Sequence, residues 1–388
     1  MNTPTLNTTA IAYQRRSVTT IMLHVVAALL PGIAVYALLI DSRLLVNLLL
    51  AVASALCFEA ILIAMRRRPV IPCLKDTSIV VAAMLLVLSV PQSLPTWQLL
   101  FGVFILCTLG KHVFGGLGHN PFNPAMVAYA VLIISFPLTM TQWSTQLGFL
   151  DTHSSGTNNT EQPQQRDWNS VTSATPLDRL SSLKRETHDS SADSNAKIIS
   201  DARTAGDSYA NDISASDTAF FDVERPPVSA LTISDNAAVS MLVLKSDWVW
   251  LSGAWLLGGL YLLFVRVISW HIPVTVLATL WILYSLADMG ISTPTLSATV
   301  ALLSGAIMFG AFFIATDPVS SASSNPGKLL YGTGIGILCF FIREFSAYPE
   351  GFAFAVLLMN MGVPLIDHAF TRNRFTKPPQ HGNGGSAA

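Results

Sequence analysis

The sequence predicts an all-α polytopic membrane protein, about ten transmembrane helices at ~20 residues per span, built as an inverted five-plus-five repeat. Three observations predict it. Of 388 residues, 51% are hydrophobic and 12% charged, with a mean hydropathy of +0.51, whereas soluble domains are about a quarter charged. The charge is segregated: of 23 acidic residues, 14 lie in one polar segment, 141–246. Short strings in the first half also recur in the second.

Taken in order, Arg15 and Arg16 precede a long apolar run from Ile21 to Ile40. It reaches the ~20 residues a span needs, and no small-residue cleavage site directly follows, so it reads as a first transmembrane helix rather than a removed signal. The apolar runs cover 20–40, 44–65, 77–91, 97–112, 124–138, 248–265, 272–287, 296–315, 329–343 and 351–366. All read as helices, because in lipid a segment must satisfy its own backbone polar groups. Cys57, Cys73, Cys107 and Cys339 form no CxxC pair and lie in or beside these runs, so they are expected to be small buried hydrophobes.

The basic residues orient the chain. With the N-terminus in the cytoplasm, cytoplasmic segments carry 12 Lys and Arg, and the short outer loops carry 2, Arg43 and Arg343. That bias fits the positive-inside rule, from which the 8 basic residues of the long segment are exempt. The reading is a bacterial inner-membrane protein with both termini cytoplasmic and 141–246 in the periplasm. Four regions result: a membrane half over 1–140, the polar insertion 141–246, a second membrane half over 247–370 and a polar tail, 371–388. Within the insertion, 151–166 and 181–217 are too polar to offset ordering entropy, while 167–180 and 220–244 are apolar enough to dock. A net charge of −1 gives no basis for a nucleic-acid partner.

The halves share two strings. Pro124-Ala-Met-Val-Ala-Tyr-Ala-Val-Leu aligns with Pro349-Glu-Gly-Phe-Ala-Phe-Ala-Val-Leu, and Leu99-Leu-Phe-Gly with Leu329-Leu-Tyr-Gly, in the same order. Each half holds an odd number of spans, so the second enters the membrane inverted, a device of transporter-like folds.

Four places carry candidate chemistry. Gly115-Gly-Leu-Gly-His-Asn-Pro-Phe-Asn-Pro-Ala125, with Asn120 and Asn123, breaks the chain before the fifth span. Thr316-Asp317-Pro318-Val319-Ser320 breaks it after the eighth. Broken helices expose backbone groups that bind ions or a polar cofactor; the plain alternative is helix termination. Glu59 sits in mid-span, where a carboxylate costs about 2.5–3.5 kcal/mol and commonly serves ion or proton transfer, the alternative being a hydrogen-bonded structural Glu. His24, Asp76 and Lys111 lie nearer the span ends, where snorkelling to the interface accounts for them. Finally, Thr172-Ser-Ala-Thr175-Pro-Leu177 is a small hydroxyl-rich string, and Pro176 holds Thr175 toward extended geometry. No metal-ligand cluster stands out.

With these residues in view, the sequence resembles one family of membrane redox proteins. Its members are the D subunit of the bacterial Rnf (Rsx) ion-translocating electron-transport complex and the B subunit of the sodium-pumping NADH:quinone oxidoreductase. The resemblance rests on Gly118-His-Asn-Pro-Phe-Asn-Pro-Ala125, Ile134-Ser-Phe-Pro137, Ala315-Thr-Asp-Pro-Val-Ser320, and Ala353-Phe-Ala-Val-Leu-Leu-Met-Asn360 running to Val363-Pro-Leu-Ile-Asp367. The Ser-Phe-Pro and Leu-Met-Asn strings favour the Rnf branch. The resemblance implies FMN joined through its phosphate to Thr175, with Ser173 standing where glycine is usual. It also implies a non-covalent riboflavin and coupling of electron flow between NADH and ferredoxin-like carriers to Na+ or H+ movement. Implied partners are the other membrane proteins of the complex, a periplasm-facing flavoprotein and cytoplasmic iron–sulfur and NADH-site proteins. Glu59, Asn120, Asn123 and Asp317 are then candidates for the ion path or the inner cavity. A passive channel or solute transporter of the same architecture is the reading from another class.

Overall fold

The computed structural model describes residues 17–115, 118–141, 247–287, 298–303, 305–345 and 351–375. Thr175 and its string, with the rest of 142–246, lie outside the described residues, as does the tail beyond 375.

Every regular element among the described residues is helical. The first half comprises α1 (Val18–Val35), α2 (Arg43–Met65), α3 (Val70–Leu74), α4 (Ser78–Ser89), α5 (Thr96–Ile105), α6 (Pro124–Ser135) and α7 (Pro137–Met140). The second comprises α8 (Asp247–Phe264), α9 (His271–Leu286), α10 (Ala298–Leu303), α11 (Ile307–Phe309), α12 (Asn325–Phe345) and α13 (Phe352–Phe375). Local chemistry sets several starts. Ser17 caps α1 by accepting from Thr20 N–H at 3.2 Å, and Asn123 caps α6 by accepting from Ala125 N–H at 3.0 Å, with Pro124 at the first helical position.

Three helices end in π-helical turns rather than clean α-helical ones: Tyr36–Ile40 after α1, Leu106–His112 after α5 and Gly310–Ile314 after α11. Each carries the wide hydrogen bond of that geometry: Asp41 N–H to Tyr36 O, Val113 N–H to Thr108 O and Ala315 N–H to Gly310 O, at 3.0, 2.8 and 2.8 Å. Apolar periodicity does not anticipate these turns, which tend to mark functional sites.

The helices at 18–40, 43–65 and 352–370 are long and apolar enough to cross a membrane. Large apolar side chains face outward, Leu49 at 74% exposure, Phe264 at 87% and Leu365 at 76%. Glu59, Lys111, Asn120, Asn123 and Asn360 are buried instead. An apolar perimeter with charged and amide side chains buried inside suits lipid, not water. The chain is a multi-pass α-helical membrane protein. By contrast, α4 and α6 have 12 residues each, ~18 Å at ~1.5 Å per residue, short of a hydrocarbon core of ~30 Å. The irregular backbone beside them is tolerated at such depth only when buried in protein or lining a cavity.

Packing is continuous across the two halves. α2 packs on α4 and α5, and α5 with its π-turn packs on α6; α9 packs on α10 and α12, and α12 on α13. The halves meet along α1 with α8 and α6 with α13. The first junction is tight because glycine permits it: a Cβ on Gly258 would lie 2.1 Å from the Ala28 carbonyl oxygen, and one on Gly32 would lie 2.1 Å from the Trp255 ring. Trp255 packs onward against Phe309, tilted at 51°, and edge-on against Phe313 at 73°, with centroids at 4.9 and 5.8 Å.

Candidate functional site

Glu59 points inward from an otherwise apolar α2 and is 2% exposed. Opposite it, the π-turn after α5 brings the adjacent Lys111 and His112 both inward, at 5% and 7% exposure. Gly110 lets that turn press against α6; a Cβ there would come within 2.8 Å of Pro124 Cα. Lys111 Nζ donates to Glu59 Oε1 at 2.7 Å and to Ser78 Oγ at 2.9 Å. Ser78 Oγ donates in turn to Asp76 Oδ1 at 2.8 Å, and Asp76 Oδ2 lies 3.9 Å from the ammonium. The second Glu59 oxygen, Oε2, is buried without a hydrogen-bond partner and faces His112 Nε2 at 3.7 Å. Neither ring nitrogen of His112 has a hydrogen-bond partner, while its carbonyl accepts from the Arg66 guanidinium.

Next to this cluster the two breaks meet. Gly115 and Gly118 adopt φ of 106° and 90°, which side-chain-bearing residues rarely do, and lead the chain into Asn120 and Asn123. Asn123 Nδ2 donates to Ile314 O in the second half at 3.3 Å. Asn360, in the amide orientation its neighbours demand, accepts from Asn123 N–H at 3.2 Å and donates to Ser320 O at 3.2 Å. The Tyr331 hydroxyl stands 2.6 Å from the same amide. Ser320 Oγ donates to Asp317 Oδ2 at 2.7 Å. Burial pushes the Asp317 carboxyl above the usual range, against the Ser320 and Val319 hydrogen bonds that lower it.

These parts line a partly open cavity of about 100 Å³, room for several waters. Ser78, Lys111, Asn120, Asn123, Thr316 and Asp317 supply its polar wall; Leu85, Phe312 and Phe313 are among the apolar residues. Asn120 donates to Phe122 O at 3.0 Å, but its own Oδ1 is buried without a hydrogen-bond partner. Asn120 and Asn123 thus share one chamber with Asp317, almost 200 residues later in the chain. Glu59 does not line it; Lys111 stands between.

Two sequence expectations need correction. Lys111 does not snorkel to an interface: it is buried and paired with Glu59, because the π-turn aims it into the protein. Cys57 is exposed on the outer face of α2, whereas Cys107 and Cys339 are buried as expected. Sequence reasoning gave no site role to Lys111, Ser78, His112, Tyr331 or Asn360. One signal for Lys111 was available: a mid-span carboxylate needs a cation, and Lys111 is the basic residue at the end of the fourth apolar run.

A family model described as "NQR2, RnfD, RnfE family" matches residues 5–376. The chain belongs to the NQR2, RnfD, RnfE family. It is 39% identical over 385 residues to the D subunit of the ion-translocating oxidoreductase complex of Vibrio atlanticus (strain LGP32), covering 96% of this chain and 97% of that one. Proteins of the same name from Erwinia tasmaniensis and Vibrio cholerae serotype O1 (strain M66-2) are 36% and 37% identical, covering 96% and 95% of this chain and 96% of each of theirs. The similarity to NQR2, RnfD, RnfE family relatives therefore runs through both membrane halves and the polar segment.

Proposed function

We propose that this chain is the D subunit of an ion-translocating oxidoreductase complex, inactive alone, that couples electron flow between NADH and ferredoxin-like carriers to Na+ or H+ movement. End-to-end similarity to relatives that bear that name carries the reading. The buried charges beside a cavity with a polar wall support it, since ionisable groups inside a membrane domain mark ion pathways. Partners are the remaining components of the complex: other membrane proteins, a periplasm-facing flavoprotein, and cytoplasmic iron–sulfur and NADH-site proteins.

The inverted repeat belongs to the same proposal. The two halves pair their helices alike: α2 with α4 and α5, α9 with α10 and α12, and the halves touch through corresponding members, α1 with α8 and α6 with α13. The positive-inside count supports an inner-membrane protein with cytoplasmic termini and residues 141–246 in the periplasm.

FMN is proposed to be held by a phosphoester to the Thr175 hydroxyl, the residue of the Thr172–Leu177 string that matches the family's attachment threonine. A flavin supplies exchange between one- and two-electron steps. A non-covalent riboflavin belongs to the same proposal. At about 100 Å³ the chamber between the breaks is smaller than the roughly 300 Å³ or more that such a ligand needs, and the riboflavin is not assigned there.

In-gel flavin fluorescence of the denatured protein, expressed with its maturation enzyme, tests the covalent bond. The parent band is expected to fluoresce and Thr175→Val to be dark. A dark parent band removes covalent flavin; a bright Thr175→Val band moves it to another residue. Glu59→Gln, in the assembled complex, is expected to slow ion uptake by membrane vesicles far more than NADH-driven electron transfer. Equal loss of both would make Glu59 structural.

A further inference from the structure

Lys111 sits where a free cation would sit. Its ammonium is 2.7 Å from Glu59 Oε1, 2.9 Å from Ser78 Oγ and 3.9 Å from Asp76 Oδ2. Two carboxylates and a hydroxyl thus converge on one positive charge, the oxygen ligand set that hard cations prefer. Two further observations set it apart from an ordinary ion pair. Glu59 Oε2 is buried with no hydrogen-bond partner, so the carboxylate has unused capacity on the side facing His112. A pair evolved only for stability satisfies its remaining lone pairs, because an unpartnered buried oxygen is costly. Lys111 and Ser78 also form part of the chamber wall shared with Asn120, Thr316 and Asp317, so the pair stands beside the cavity.

We infer that Lys111 is a tethered counter-cation, which neutralises Glu59 until a transported monovalent cation takes its place. The inference rests on the ion-translocating reading above. When a sodium ion or a proton reaches Glu59 at Oε2, two positive charges compete for one carboxylate. The ammonium then moves along Ser78 toward Asp76, whose Oδ1 already accepts the Ser78 hydroxyl at 2.8 Å. The exchange swaps ion partners and makes or breaks no covalent bond, apart from the proton itself when a proton is the cargo. Glu59 is never left bare in the membrane, where a lone carboxylate is heavily penalised. The ionisable groups facing the exchange are Glu59, Asp76, Lys111 and His112, with Arg66 on the His112 carbonyl.

The test uses the intact complex in membrane vesicles. NADH-driven electron transfer is titrated with Na+ at fixed pH, and with pH in sodium-free medium, which separates the two cargoes. Lys111→Gln removes the competing charge but keeps a donor for Glu59. It is expected to lower the half-saturating concentration of the effective cation by about tenfold, within the usual range of site–site coupling. Glu59→Gln is expected to abolish the response. An unchanged half-saturation in Lys111→Gln overturns the inference and leaves Lys111 a structural partner. Where Lys111→Gln does not accumulate, Ser78→Ala serves: it removes the step toward Asp76 and is expected to raise the half-saturating concentration, and no change in it overturns the inference equally. A parent complex that responds to neither cation and moves none sinks the ion-translocating reading itself, and the inference with it.

Discussion

Gly258→Ala is expected to prevent accumulation of folded protein, while Gly253→Ala, on the same helix, is expected to be neutral or mildly stabilising. At Gly258 the added carbon would lie 2.1 Å from the Ala28 backbone oxygen, with the Phe313 ring at 3.1 Å. A backbone oxygen cannot rotate away, so α1 and α8 must separate along the whole junction between the halves. Overpacking commonly costs about 1–3 kcal/mol when side chains can give, and more where they cannot. At Gly253 nothing lies within 4 Å of the new carbon, and replacing a helical glycine with alanine gains roughly 0.5–1 kcal/mol. The yield of monodisperse protein in detergent and its thermal midpoint distinguish the two. Similar losses from both variants would sink the close-approach argument.

Lys111→Met carries the second large effect. Removing one partner of a buried ion pair costs about 3–5 kcal/mol, because the survivor is left charged and unpaired. Glu59 is especially exposed to this, since one of its oxygens already lacks a hydrogen-bond partner. At roughly 2–4 °C per kcal/mol, the thermal midpoint is expected to fall on the order of 10 °C. Glu59→Gln combined with Lys111→Met removes both charges and is expected to recover most of that loss. A double variant as unstable as the single one would show that the two side chains are not energetically coupled.

The sequence announced a helical membrane protein, since composition and hydropathy act locally, and three of its apolar runs are helices long enough to cross a membrane. It announced both breaks for the same reason: glycine, proline and asparagine act on their own backbone, and Asn123 does cap α6. Glu59 stood out by its cost in lipid alone. Its partner was only half legible: a mid-span carboxylate calls for a cation, but Lys111 lies 52 positions away and no periodicity links them. Its position at a span end made snorkelling the natural reading, and only the π-turn, which apolar patterning does not encode, turns it inward. Asn360 was hidden for a similar reason. It reads as one polar residue in an apolar helix, and its role emerges only when α13 meets α6 and the amide reaches Asn123. Thr175 was legible through family likeness rather than physics.

The short helices have an electrical consequence. α4 and α6, with 12 residues each, supply only ~18 Å of helix where a hydrocarbon core is ~30 Å. If the chamber beside them is wet, the membrane voltage drops across that thinner layer, and the local field is steeper by roughly the ratio of the two lengths. An ion moving through this part of the protein would gain or spend the same total energy, ~2.3 kcal/mol per charge per 100 mV. It would do so over ~18 Å rather than ~30 Å, so each step between side chains would carry a larger share of the voltage.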